Sequence, residues 1–457
     1  MTDIASPAVA ADRTRGFFLA RLFWSLASFV SSYGLRFGSN IVLTRLLAPE
    51  IFGVMVVVNA MRLGIELLTD VGIEQNIVRH PDGLTPRFFN TAWTMQIIRG
   101  AGLSTLFLAL SPLLARFYEI DWGVFAVVAL APMINSLHST AIFALVKNLE
   151  VKRRTLFEFQ AELTGFVASV TLAFITPTVW ALVFGMLISI AVRSALSYRL
   201  PHAAHKFMLD RGYVREIVLF GRWIMVSSLV MFAANNLDRL TLGKIAPLAL
   251  LGIYGLARTI ADIPAMMARR LIYQIVFPAL AAAQARGDDG GLAAMGPARL
   301  KLVMVAAAGI GLLSGSGDWA VHVLYDPRYA AAGWMLSLLL FATWLSILSN
   351  LNEGLLMGSG KPAYESGANV TRFCVMAVGL YPGYVAAGFA GAIGAMIAGE
   401  LGRYVFVGWG QRRHGLSFVR QDLAATLAML AVSALWTLAR VQFGFGTSWD
   451  MLASSRG

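Results

Sequence analysis

Residues 21–74 read RLFWSLASFVSSYGLRFGSNIVLTRLLAPEIFGVMVVVNAMRLGIELLTDVGIE, two apolar stretches meeting at a tight Ala48-Pro49-Glu50 turn. At ~1.5 Å of rise per residue each stretch is long enough to cross a ~30 Å hydrocarbon core, so the segment reads as a membrane hairpin. Its polar residues are ordered. Ser25, Ser28, Ser32, Arg36, Ser39 and Asn40 recur at three- and four-residue steps on the first stretch, and Asn59, Arg62, Glu66 and Asp70 on the second. At ~100° per residue each set shares one helical face. Charge at membrane depth is costly and normally faces a bundle interior or a water-filled cavity. The plainer reading, in which Arg36 and Asp70 lie near helix ends and snorkel to headgroups, stays open. The serines and asparagines that prolong both stripes favour the cavity.

One hairpin cannot account for a chain of 457 residues that is 58% hydrophobic and only 14% charged. Such a balance cannot be hidden in a soluble core, so an all-α polytopic membrane protein is expected. Continuous apolar runs of about twenty residues exclude a β-barrel, whose strands alternate over ~10 residues. With Cys374 as the single cysteine, no intrachain disulfide or cysteine metal cluster can form. The start, MTDIASPAVAADRTRG, has basic residues but no small-residue cleavage site after a short apolar region, so residues 1–16 are expected to be an uncleaved cytoplasmic tail. The net charge of +12 is spread over short loops between spans and forms no nucleic-acid patch. Topology and anionic lipid explain it better.

Beyond the hairpin, apolar runs predict spans at about 88–114, 122–146, 155–175, 178–198, 217–245, 249–277, 298–315, 331–356, 364–385 and 387–409, with a last segment at about 421–440. Lysine and arginine concentrate in alternate connections: Arg79 and Arg87; Lys147 to Arg154; Arg199 to Arg215; Arg286 to Lys301; Arg412 to Arg420. These are expected to be cytoplasmic, with the N-terminus. The polar connection 199–216 divides an N-lobe of six spans (17–198) from a C-lobe of six (217–411), and 412–457 forms an extra span and tail.

The second lobe repeats the opening of the first without a gap, at the 199-residue offset that takes Trp24 to Trp223, Ser28 to Ser227, Leu43 to Leu242, Gly53 to Gly252 and Arg45 to Lys244. An even number of spans per half gives a parallel repeat, two six-helix lobes related by a pseudo-two-fold about a central cavity. At the same offset Arg36 falls on Asn235 and Asn40 on Arg239. Arg258 and Asp262 sit one turn apart, echoing Arg62 and Glu66, and Asp238 edges the face that carries Ser228, Asn235 and Arg239. Acid–base pairs of this spacing can serve simply to neutralise one another. Arg36 has no acid within one turn of its own helix. Further polar stripes occur at Ser346, Asn350 and Glu353, at Lys361 to Arg372, and at Glu400 and Arg403; several of these residues lie near span ends, as Glu158 and Glu162 do, where headgroup contact is the default and lining of the cavity the alternative. No phosphate loop, histidine metal pair, GxSxG or sizeable extramembrane catalytic region is present, so neither an enzyme nor a cofactor or metal site is expected. His138 reads as a packed polar residue within a span.

Two runs carry a resemblance: NIVLTRLLAPEIFGVMVVVNAMRLGIELLTDVGIEQNIVR at 40–79 and DRLTLGKIAPLALLGIYGLARTIADIPAMMARRLIYQIVFPAL at 238–280. They resemble the polysaccharide transport family of lipid-linked oligosaccharide flippases, within the multidrug/oligosaccharidyl-lipid/polysaccharide exporter superfamily. VLYDPRYAAAGWMLSLLL is similar to that family's pattern before the tenth span. The resemblance implies a bacterial inner-membrane protein moving an undecaprenyl-pyrophosphate-linked glycan, such as an exopolysaccharide, O-antigen or capsule repeat unit, to the outer leaflet. It also implies alternating access driven by an ion gradient, a cationic cavity, and a polysaccharide polymerase and co-polymerase as partners. Arg36, Asn40, Asn59, Arg62, Asn235, Arg239 and Arg258 are the expected substrate contacts, and Glu66, Asp70, Asp238 and Asp262 the ion-coupling candidates. A multidrug-type exporter on the same fold would want an acidic or aromatic cavity, a lipid II flippase is close in substrate, and a non-transporting scaffold would tolerate loss of these charges.

Overall fold

A computed structural model describes residues 24, 31–202, 204–272, 291–447 and 450, with no strand among them. Ser25, Ser28, the 1–16 tail, Arg286 and the end of the eighth expected span lie outside these residues.

The helices are α1 (31–46), α2 (Pro49–Leu67), α3 (Ile73–Arg79), α4 (Pro86–Tyr118), α5 (Trp122–Val128), α6 (Ala131–Ser136), α7 (Ala141–Lys147), α8 (Val151–Ile175), α9 (Val179–Ser197), α10 (Arg211–Ile245), α11 (Leu248–Leu271), α12 (Gly291–Ser314), α13 (Gly317–Leu324), α14 (Ala332–Gly358), α15 (Ala363–Arg413) and α16 (Val419–Gln442). Eight described helices are long and apolar enough to cross a membrane. Punctuation in the sequence sets their ends. Pro49 and Pro86 open α2 and α4, where a missing N–H costs nothing. Asp121 caps α5 by accepting from the Gly123 N–H at 3.0 Å.

One expected span differs in the structure. The fourth, expected as one helix over 122–146, is broken into α5, α6 and α7, the last bent by 58° from the first two. The backbone groups freed at the break find side chains. Gln96 of α4 donates to the carbonyls of Ser136 (2.8 Å) and His138 (3.0 Å), and the Ser139 N–H donates to Ser197 Oγ at 2.7 Å. Interrupted helices persist at membrane depth only where protein satisfies the backbone in this way. α15 holds 51 residues, about 75 Å at helical rise and far more than one crossing needs. It reverses at Ala387 and Gly388, the latter in the left-handed region at φ 58°, which gives the two arms expected from the sequence.

The chain forms two compact units, 1–47 with 57–232 and 48–56 with 233–457, so α2 and α10 each contribute to both. In the second unit α14 is apolar on nearly all sides and buried, with Trp344 only 1% exposed. α16 is riveted beside α12 and α13: Arg440 donates to both carboxylate oxygens of Asp318 at 2.7 and 2.8 Å, and Arg299 to Asp422 at 2.5 Å. The first turns of α2 cross the first turns of α11 backbone to backbone. A Cβ on Gly53 would lie 1.9 Å from the Leu248 carbonyl oxygen, and one on Gly252 would lie 2.0 Å from that of Pro49. The 199-residue offset found in the sequence, which takes 49 to 248 and 53 to 252, exchanges the two contacts, and glycine is what permits this approach.

Candidate functional site

In the first unit the charges of α1, α2, α4, α8 and α9 form short, partly exposed pairs. Arg36 meets Glu162 of α8 at 3.1 Å while its own side chain stays 66% exposed. Its acid thus comes from another helix, 126 residues away. Arg62 and Glu66 pair at 2.7 Å one turn apart on α2. Arg99 of α4 donates to the Glu66 backbone carbonyl and, at 3.0 Å, to Thr69 Oγ1. Asp70 closes the end of α2 by accepting from the Gly72 N–H at 3.0 Å, and Ser228 Oγ reaches its other oxygen at 3.5 Å. Asn40 is half-buried and Asn59 exposed. Arg193 of α9 holds Glu158 with two bonds, 3.0 and 2.9 Å.

The second unit is built differently. Asp238 is 1% exposed and accepts a bond from the buried Tyr254 hydroxyl. Arg258 and Asp262 pair at 3.2 Å, and Arg239 donates to Asn236 at 3.2 Å. From Asn235 a buried ladder starts: Arg372 donates to Asn235 Oδ1 at 3.1 Å and lies 2.9 Å from Glu400. Glu400 in turn faces Arg403 at 3.5 Å, and Arg403 grips Glu353 at 2.8 and 2.5 Å and Asn350 at 2.9 Å. Glu353, Arg372, Glu400 and Arg403 are therefore buried inside the unit instead of reaching headgroups. The sums of charge match, four arginines (239, 258, 372 and 403) against four carboxylates (238, 262, 353 and 400). A neutral network of this kind escapes most of the burial cost that an odd charge would incur.

Sequence reasoning had missed Arg99 and Arg193 as members of these clusters. Each is a single arginine within an apolar run, with no acid at helical spacing on its own span, and that isolation was the available signal. His138 is 7% exposed, packed edge-on to Phe143 at 5.5 Å.

The helical arrangement is that of a known class of membrane transporters. The chain superposes on the lipid II flippase MurJ in its inward closed conformation with a TM-score of 0.70, 10% identity and coverage of 93% of this chain and 96% of that one. It superposes on the inward-facing conformation of a multidrug resistance MATE family transporter of the MOP superfamily with a TM-score of 0.62, 16% identity and coverage of 84% and 94%. These likenesses define the fold. Residues 42–332 match the family model described as polysaccharide biosynthesis protein, and the chain belongs to that family. Among its relatives are the lipopolysaccharide biosynthesis protein WzxC of Escherichia coli (strain K12), 25% identical over 272 residues, and the teichuronic acid biosynthesis protein TuaB of Bacillus subtilis (strain 168), 24% identical over 302 residues. The matches cover 57% and 65% of this chain and only 54% and 62% of those proteins. The succinoglycan biosynthesis transport protein ExoT of Rhizobium meliloti (strain 1021) is 22% identical over 317 residues, 69% of this chain and 64% of its own.

Proposed function

We propose that this protein carries a lipid-pyrophosphate-linked oligosaccharide from one leaflet of a bacterial inner membrane to the other during polysaccharide biosynthesis. The observation that carries the reading is Arg36: a guanidinium on α1, within the first span expected from the sequence, two-thirds exposed and paired with Glu162 at 3.1 Å. An arginine in that setting marks a wet or ligand-filled site. A pyrophosphate dragged uncompensated through hydrocarbon would cost many kcal/mol. Guanidinium groups replace its hydration with two-pronged bonds and cannot lose their proton. Arg36 and Arg62 in the first unit, and Arg239 and Arg258 in the second, are the proposed pyrophosphate ligands. Asn40, Asn59 and Asn235 would bond sugar hydroxyls, and the acyl chain would stay in lipid. Membership of the polysaccharide biosynthesis family and the transporter fold support the same reading, with alternating access as the cycle.

The test is glycan export in cells. Arg36→Ala and Arg239→Ala should each abolish export at normal protein level, and lysine at either position should restore it only in part, because a point charge lacks the fork. Export at the wild-type rate by the double alanine variant would reject the cationic site and favour a scaffold. The lipid-linked glycan that accumulates on deletion identifies the cargo.

A further inference from the structure

The connection from α9 to α10 takes no part in the transport reading, yet it is firmly docked. Residues 204–210, neither helix nor strand, lie along the first turns of α4. The N–H groups of Lys206, Met208 and Asp210 donate to Asn90 Oδ1 (3.1 Å), Thr94 Oγ1 (3.1 Å) and Thr91 Oγ1 (3.2 Å). The His205 ring stacks on Trp93 at 5.0 Å with 11° between planes, and the Phe207 ring lies 5.1 Å from the same indole. Despite this order, Phe207, Met208 and Leu209 are 75%, 39% and 52% exposed.

Single exposed apolar residues are ordinary, but three in succession on a pinned backbone call for an apolar surrounding. We propose that residues 206–211 are an interfacial anchor seated in the bilayer that the chain spans. Phe207 and Leu209 enter the acyl boundary, and Lys206 and Arg211 hold the headgroups of anionic phospholipid. The place in the fold fits. The segment leaves α9 after Ser197 and enters α10 at Arg211, both membrane-crossing helices, so it lies where two spans share an end. Tyr198, 44% exposed and 6.4 Å from the His205 ring, adds an amphipathic aromatic of the kind the headgroup zone selects. The charges fit too. Asp210 is engaged by Arg87 at 3.3 Å, while Lys206 and Arg211 are exposed, so the face presented outward is cationic and apolar. That combination binds anionic interfaces.

The test uses the full-length protein with Cys374→Ser, reconstituted in nanodiscs of phosphatidylcholine with or without phosphatidylglycerol. A single cysteine is introduced as Leu209→Cys, which leaves Phe207 in place, or in a second variant as Phe207→Cys, and labelled with an environment-sensitive nitrobenzoxadiazole. The expected result is blue-shifted emission, quenching by shallow doxyl lipids and protection from aqueous iodide. Adding Lys206→Glu and Arg211→Glu should at least halve the lipid quenching in phosphatidylglycerol discs and leave it unchanged in pure phosphatidylcholine. Water-like emission with full iodide quenching overturns the anchor. Protection from both quenchers also overturns it, since a protein surface would then cover the segment.

Discussion

The two units hold the charges of their helices in opposite ways. In the first, the pairs are accessible: Arg36 with Glu162 at 66% and 23% exposure, Arg62 with Glu66 at 22% and 18%, Arg193 with Glu158 at 27% and 26%. In the second, Arg403 with Glu353 and Arg372 with Glu400 range from 3% to 7%. An accessible pair gains little from its partner, so an incoming anion can take the guanidinium over at small cost. A buried pair has no such freedom. Breaking it strands a charge where water cannot follow. The first unit therefore offers exchangeable charges, and the second a framework that fixes helices, with Arg258–Asp262 between these extremes at 13% and 24%.

The comparison breaks most visibly on stability. Arg403→Ala, which leaves Glu353 buried without its cation and Glu400 with Arg372 alone, is expected to cost about 3–5 kcal/mol, whereas Arg36→Ala should stay within about 1 kcal/mol. Thermal unfolding of the purified variants in one detergent measures both. Equal losses would remove the distinction between exchangeable and fixed charges.

A middle-sized effect concerns coupling. If anion binding draws Arg62 or Arg258 from its acid, the freed carboxylate takes up a proton on loading and gives it up on unloading, so the proton travels with the glycan; a ligand shifts such an equilibrium only through differential affinity. Glu66→Gln and Asp262→Asn should then stop export or make it indifferent to the proton gradient, with folding retained. Wild-type export that still collapses with the gradient would assign both acids a structural role. Asp70, tied to the turn after α2, and Asp238, sealed against Tyr254, are the next positions to substitute.

The smallest expected effect lies outside the spans. Burial pushes the His205 imidazole down to about 4 from its ordinary 6.5. Between those values the undocked linker binds a proton that the docked one refuses, so docking is at full strength above pH 6.5 and weakens as pH falls toward 4. Hydrogen exchange at Lys206, Met208 and Asp210, corrected for intrinsic rates, should quicken over that window and lose this dependence in His205→Gln.

Hydropathy made most spans legible to within a few residues, because length and apolarity are properties of single segments. α16, expected at 421–440 and found at Val419–Gln442, is an example. The break in the fourth span was hidden, since a bent apolar run scores like a straight one. Its cue was the polar cluster Ser136, His138, Ser139 and Thr140 inside the run. Charges paired along one helix, Arg62 with Glu66 and Arg258 with Asp262, could be read from spacing. Those paired across helices could not: Arg36 meets Glu162 and Arg403 meets Glu353 through tertiary packing that no local period encodes. The short helices α3 and α13 were likewise unforeseen, at seven and eight residues too brief for a periodic signal.

The crossing of α2 and α11 has the form of an isologous interface: position 49 faces 252, the counterpart of 53, and position 53 faces 248, the counterpart of 49. In a dimer of identical halves every substitution at such a contact strikes both sides at once. On a single chain it strikes one. The halves are thereby released from symmetry, free to keep glycine at 53 and 252, where backbones touch, while Arg36 and Asn40 in one become Asn235 and Arg239 in the other.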